Sequence, residues 1–82
     1  MEKEKYVIQL EAFGNRMREI RKKKNLTLLD LEASTGIANG ALSKIENGLK
    51  NMEFITISKI AEGLNVELYE LFVPANFSFK AI

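Results

Sequence analysis

The sequence predicts an all-α chain folded as one compact domain of five helices. Apolar residues recur at three- and four-residue spacings, first as Leu10, Phe13, Met17 and Ile20, and again as Ile57, Ile60, Ala61 and Leu64. The stretches carrying these faces end in Asn or Gly, residues that accept the left-handed conformation closing a helix. A chain of 82 residues has room for one core and not for a second.

The first helix carries the Leu10-to-Ile20 face and is predicted to end at Lys24-Asn25. Its start is open, because Tyr6-Val7-Ile8 reads either as an upstream extension of the helix or as a separate extended arm. Thr27 is a ready N-cap for a second helix, with Asp30 three residues on as a shortened capping box. That helix, Leu28 to about Ser34, buries Leu31 and part of Ala33, and Gly36 turns the chain. A third helix runs from about Asn39 to Asn47 with Leu42 and Ile45 inward, and Asn47-Gly48 ends it. After a connector, the fourth runs from about Phe54 to Leu64 and stops at Asn65. A short fifth helix, about Glu67 to Phe72, is stopped by Pro74, which also biases Val73 toward an extended conformation.

Composition narrows the function. Cysteine and histidine are both absent, which removes disulfides, the usual zinc ligands and the usual nucleophile–base pairs. An enzyme is therefore not expected, nor is a cofactor. No apolar run approaches the ~18 residues of a membrane span, and the charged start Met1-Glu2-Lys3-Glu4-Lys5 is not a secretory signal. A cytoplasmic protein is expected. Net charge is only +1, yet residues 1–50 hold ten Lys/Arg against seven Asp/Glu, while residues 51–82 hold two against four. The densest basic run is Arg16, Arg18, Arg21, Lys22, Lys23 and Lys24. Such a run reads either as a solvated helix end suited to the helix dipole or as attraction for a polyanion.

Leu26 to Gly48 is the informative stretch. Two short helices flank a Gly-containing turn, the length arithmetic of a helix-turn-helix whose second helix enters the major groove. The identities go further. Leu26-Thr27-Leu28-Leu29-Asp30-Leu31-Glu32-Ala33-Ser34-Thr35-Gly36-Ile37, continuing to Leu42-Ser43-Lys44-Ile45-Glu46-Asn47-Gly48, resembles the lambda-repressor-like (XRE, Cro/C1-type) helix-turn-helix family. So does the ending Leu64-Asn65-Val66-Glu67-Leu68-Tyr69-Glu70-Leu71-Phe72. The resemblance implies a DNA-binding domain over residues 10–72, an N-terminal arm or helix extension over 1–9, and a C-terminal tail over 73–82.

What the resemblance implies is a homodimeric transcription regulator, most simply a repressor, whose third helix reads double-stranded operator DNA. Carried over position by position, Ala38, Asn39, Gly40, Ala41 and Lys44 face base edges. Asn39 has the chemistry for a bidentate contact to adenine N6/N7, and Lys44 can donate to guanine O6/N7. Asn39 has a second reading as the helix N-cap. Gly40 costs roughly 1 kcal/mol of helix propensity against Ala and can mark close backbone approach, while Ala41 can touch a thymine methyl. Thr27 and Leu28 at the start of helix two, with Asn47, Lys50 and Asn51 after helix three, are phosphate candidates.

The family's ion pair between helices one and three matches Arg21 and Glu46, a planar fork facing a carboxylate. Four positions depart from the pattern. Leu28 stands where many members have a glutamine that contacts phosphate and braces the first recognition side chain. Glu32 stands where many have alanine, so it must lean out to solvent or find a cation. Met52 and Glu53 replace the usual proline and Ser/Thr cap before helix four. The apolar residues Phe72, Val73, Phe77, Phe79 and Ile82 are dimer candidates, or else pack over the chain's own core. A second reading of function is a protein-interaction module on the same fold, such as an antitoxin or partner-binding regulator with little DNA readout.

Overall fold

The computed structural model describes residues 2–74, and its helices follow from local chemistry. The first helix, α1 (Glu2–Lys23), runs through Tyr6-Val7-Ile8, so the N-terminal residues Glu2 to Gln9 continue the helix rather than form an extended arm. Then come α2 (Leu28–Thr35), α3 (Asn39–Glu46), α4 (Phe54–Leu64) and a 3-10 helix over Leu68–Phe72. The fifth predicted helix is thus corrected in type and starts one residue later. Five residues ahead of Pro74 are too few to sustain cooperative α-helical bonding, and the tighter 3-10 turn is the usual substitute. Val73 is extended ahead of that proline, at φ −119° and ψ 152°.

The predicted stops take left-handed conformations. Asn25, Gly36, Gly48 and Asn65 have φ of 59°, 77°, 72° and 57°. Three helix ends close with the same reach-back bond, in which an amide two or three residues past the end meets the carbonyl five residues before it. These are Leu26 N–H to Arg21 O at 3.0 Å, Leu49 N–H to Lys44 O at 2.9 Å, and Val66 N–H to Ala61 O at 3.0 Å.

The apolar faces converge on one core. Phe13, Met17 and Ile20 of α1 meet Leu31 of α2, Leu42 and Ile45 of α3, Ile60, Ala61 and Leu64 of α4, and Leu71. The helix α1 packs on α3 and the 3-10 helix, while α2 packs on α3 and α4. Ala33 is exposed rather than partly buried, because two residues along a helix from Leu31 is nearly the opposite face.

Glycine at position 14 determines how closely α1 and α3 cross. A Cβ built there would collide with the Ile45 and Glu46 carbonyl oxygens, so only a glycine lets the end of α3 lie against α1. Gly14 drew no attention in the sequence, although an isolated glycine inside a helical pattern is the signal for such an approach.

Candidate nucleic-acid interface

Helix α2 and the turn that follows it are held by three side chains and one glycine. Thr27 caps α2: its hydroxyl accepts the Asp30 amide at 3.0 Å, and the Asp30 carboxylate accepts the Thr27 amide at 2.7 Å. The Thr27 amide hydrogen bond holds the Asp30 carboxyl below the usual carboxylate value, and the hydroxyl reinforces it. At the far end, Gly36 N–H donates to Glu32 O at 2.8 Å. The Thr35 hydroxyl donates to Leu31 O at 2.6 Å and accepts the Ile37 amide at 3.1 Å. Gly36, Ile37 and Ala38 alone separate the helices, with Ile37 tucked against the core.

Helix α3 has two unlike sides. Leu42, Ile45 and Glu46 are buried, whereas Ala38, Asn39, Gly40 and Lys44 are exposed and Ala41 is half-buried. Ala38 is the N-cap and its side chain makes no capping bond. Asn39 is the first residue inside the helix, so the N-cap reading of Asn39 is set aside. Its amide nitrogen instead donates to Glu32 Oε1 at 2.9 Å. Glu32 therefore neither leans free into solvent nor finds a cation: a neutral amide on α3 satisfies it. A Cβ at Gly40 would meet nothing within 4 Å, so the protein itself has no need of a glycine there.

Helix α3 is fastened to α1 by charge. Glu46 is only 2% exposed, and Arg21 grips it with Nε at 2.6 Å from Oε2 and Nη2 at 3.0 Å from Oε1. That hydrogen bond raises the Arg21 pKa above its ordinary value against the opposing effect of burial. Arg18 adds a third contact, Nε to Glu46 Oε1 at 3.3 Å, and its Nη2 donates to Asn47 Oδ1 at 2.5 Å. Sequence reading did not assign Arg18 this role.

The basic run of α1 is consequently divided. Arg16 donates from Nε to Glu70 O at 2.8 Å and pairs with Glu19 at 2.7 Å. Lys24 Nζ reaches Asn65 O at 3.4 Å. The arginines bind the domain's own elements, and Lys22 and Lys23 are the exposed cations of that run with no hydrogen-bond or ion-pair partner among the described residues. Their distribution disfavours a single polyanion-binding stripe along α1.

Among the phosphate candidates, both polar groups of Thr27 are consumed by the capping box, which leaves the amides of the next two residues as the unbonded donors of that helix start. Leu28 packs against the core. Asn47, Lys50 and Asn51 are exposed beyond α3. Of the dimer candidates, Phe72 is 59% exposed and lies 5.5 Å from the Phe13 ring, while Val73 is half-buried. Both border a groove of about 630 Å³ along α1. Phe77, Phe79 and Ile82 lie outside the described residues. No group of three or more potential metal ligands exists among the described residues, and no helix there is long and apolar enough to cross a membrane.

A capped α2, a glycine turn and an α3 with one exposed polar side define a helix-turn-helix protein. Residues 17–71 match the model of the family described as Helix-turn-helix (HTH_3), and the chain belongs to that family. The chain is 32% identical over 83% of its length to the HTH-type transcriptional repressor RghR of Bacillus subtilis, and spans about half, 51%, of that relative. It is 36% identical over 73% of its length to control protein C.MunI of Mycoplasma sp, 82% of which is covered. Among solved structures, the restriction-modification controller protein C.AhdI from Aeromonas hydrophila superposes with a TM-score of 0.77 at 34% identity. That match covers 79% of this chain and 98% of the controller. An HTH_3 family transcriptional regulator from Vibrio cholerae gives 0.78 at 28% identity, over 82% of this chain and 38% of its own.

Proposed function

We propose that this chain is a DNA-binding transcription regulator that represses by occupying a palindromic operator as a homodimer, with α3 in the major groove. The observation that carries the reading is the division of α3. Leu42, Ile45 and Glu46 anchor it, Gly40 and Lys44 lie on the opposite side, and Asn39 is exposed at its first turn. A helix locked at its far end by a buried ion pair can hold such side chains against base edges without paying much ordering entropy on binding. Asn39 and Lys44 supply the readout, and Ala38, Gly40 and Ala41 allow close approach. The amides of Leu28 and Leu29, together with Asn47, Lys50 and Asn51, hold phosphates.

One domain of this size covers roughly 600–1,000 Å² of DNA, and a twofold pair reading half-sites one helical turn apart doubles it. Phe72 and Val73, continuing into the 73–82 segment, supply the apolar surface for that pair. The names of the relatives, a repressor and two restriction-modification or control proteins, support a regulator.

Binding to random genomic duplex across a salt series, followed by selection of bound sequences, tests the reading. A steep loss of affinity with salt, from counterion release, and an enriched palindrome are expected. The exposed apolar residues Phe54, Ile55 and Phe72 favour a second reading as a protein-interaction module. A folded protein that ignores duplex at low salt would select that one.

A further inference from the structure

Asn39 opens the exposed side of α3, and its amide nitrogen is held by Glu32 Oε1 of α2 at 2.9 Å. An asparagine amide has two arms of nearly equal shape and opposite polarity. In water it presents either arm outward. A carboxylate oxygen only accepts, so the bond to Glu32 requires the nitrogen arm to face α2. The oxygen arm is then turned away from Glu32, and no donor among the described residues is bonded to it.

Resting on the DNA-reading function of α3, we propose that Glu32 is a positioning residue that sets the base preference at Asn39 by fixing which arm of its amide meets the groove. With Oδ1 outward, Asn39 accepts from an exposed amino group, which in the major groove means adenine N6 or cytosine N4. The amide proton not used by Glu32 can donate to N7 beside that amino group on adenine. Cytosine carries no acceptor beside its amino group, so adenine is favoured. The reversed amide would suit guanine O6/N7 or thymine O4, but it would set Oδ1 against a carboxylate oxygen. Glu32 thus selects against guanine and thymine without touching a base. Leu28 has no polar atom with which to brace Asn39, and Glu32 does so from the next turn of the same helix.

The test compares wild type, Asn39→Ala, Glu32→Gln and Glu32→Ala by selection from a randomised duplex pool, with melting temperature and salt slope measured alongside. The position whose preference Asn39→Ala abolishes is the one Asn39 reads. Wild type is expected to hold adenine there. Glu32→Gln keeps the size of the side chain, but its amide can turn to match either orientation of Asn39. Both Glu32 variants should weaken the adenine preference by roughly tenfold and admit guanine or thymine, with the other positions, salt slope and melting temperature unchanged. Guanine or thymine at that position in wild type would overturn the proposal. So would an unaltered preference in both Glu32 variants, or a uniform gain in affinity reflecting only a lost negative charge. A wild type that is folded yet binds no duplex overturns the DNA-reading function itself, and the proposal with it.

Discussion

Arg21 reaches from the last turn of α1 to Glu46 at the end of α3, Nε to Oε2 at 2.6 Å, and on its other side Nη1 donates to Leu26 O at 2.9 Å. One guanidinium therefore ties three segments: α1, the loop before α2, and α3. The carboxylate it holds is almost wholly removed from water, so its partners decide whether the fold tolerates it.

Removing Arg21 leaves that buried charge with Arg18 alone, at 3.3 Å and from a more exposed side chain. Arg21→Ala is expected to cost about 3 kcal/mol, at the lower edge of the range for breaking a buried pair. For a domain of this size that is a melting temperature lower by more than about 10 °C. Arg18→Ala should cost at most about 1 kcal/mol, as for an exposed pair. Thermal melts of both single variants and the double variant check the order. Equal melting temperatures for Arg21→Ala and wild type would show that the pair contributes nothing.

Gly14→Ala is expected to destabilise the domain by about 1–3 kcal/mol or more, the cost of overpacking a close contact. The atoms in the way are backbone carbonyls of α3 and cannot swing aside as a side chain would. Urea unfolding measures it, and an unchanged midpoint would mean that α1 and α3 have room to separate.

Gly40→Ala is expected to do the reverse. Nothing in the protein occupies the space its Cβ would take, so the substitution should stabilise the fold by about 0.5–1 kcal/mol through helix propensity. Duplex affinity should fall in the same variant if the glycine serves the groove. A higher melting temperature with weaker binding separates the two roles in one protein.

Asp30 links stability to pH. Its folded pKa lies below the ordinary 3.8 because Thr27 donates to the ionised form. A depressed carboxyl contributes stability that is fully present above the unfolded value and is lost as pH falls through the folded one. The melting-temperature gap between wild type and Asp30→Ala should therefore be constant at neutral pH and close on acidification below about 4. A gap that widens in acid would contradict the capping geometry.

Much of the chain's architecture was local, and so it was legible. Thr27 and Asp30 are three residues apart, and Asn25, Gly36, Gly48 and Asn65 act within a turn of their own positions. Their conformations need no distant partner. The short final helix winds as 3-10, and local propensity says little about whether five residues before a proline take that form or α. The candidate site divides the same way. Which residues stand at the start of helix three could be read from the turn that precedes it, whereas the bond partners of those residues could not.

By itself the sequence determined an all-helical domain, its stops and caps, and a helix-turn-helix of defined length, because hydrophobic period, capping chemistry and left-handed turn residues all act over one or two helical turns. Tertiary structure alone decided that Gly14 is a crossing point, that Arg16 and Arg18 bond to the domain's own groups, and that Glu32 meets Asn39. Each of those facts depends on where separate helices pass one another. Burial then rewards whichever polar partner comes within about 3 Å, whatever its distance along the chain.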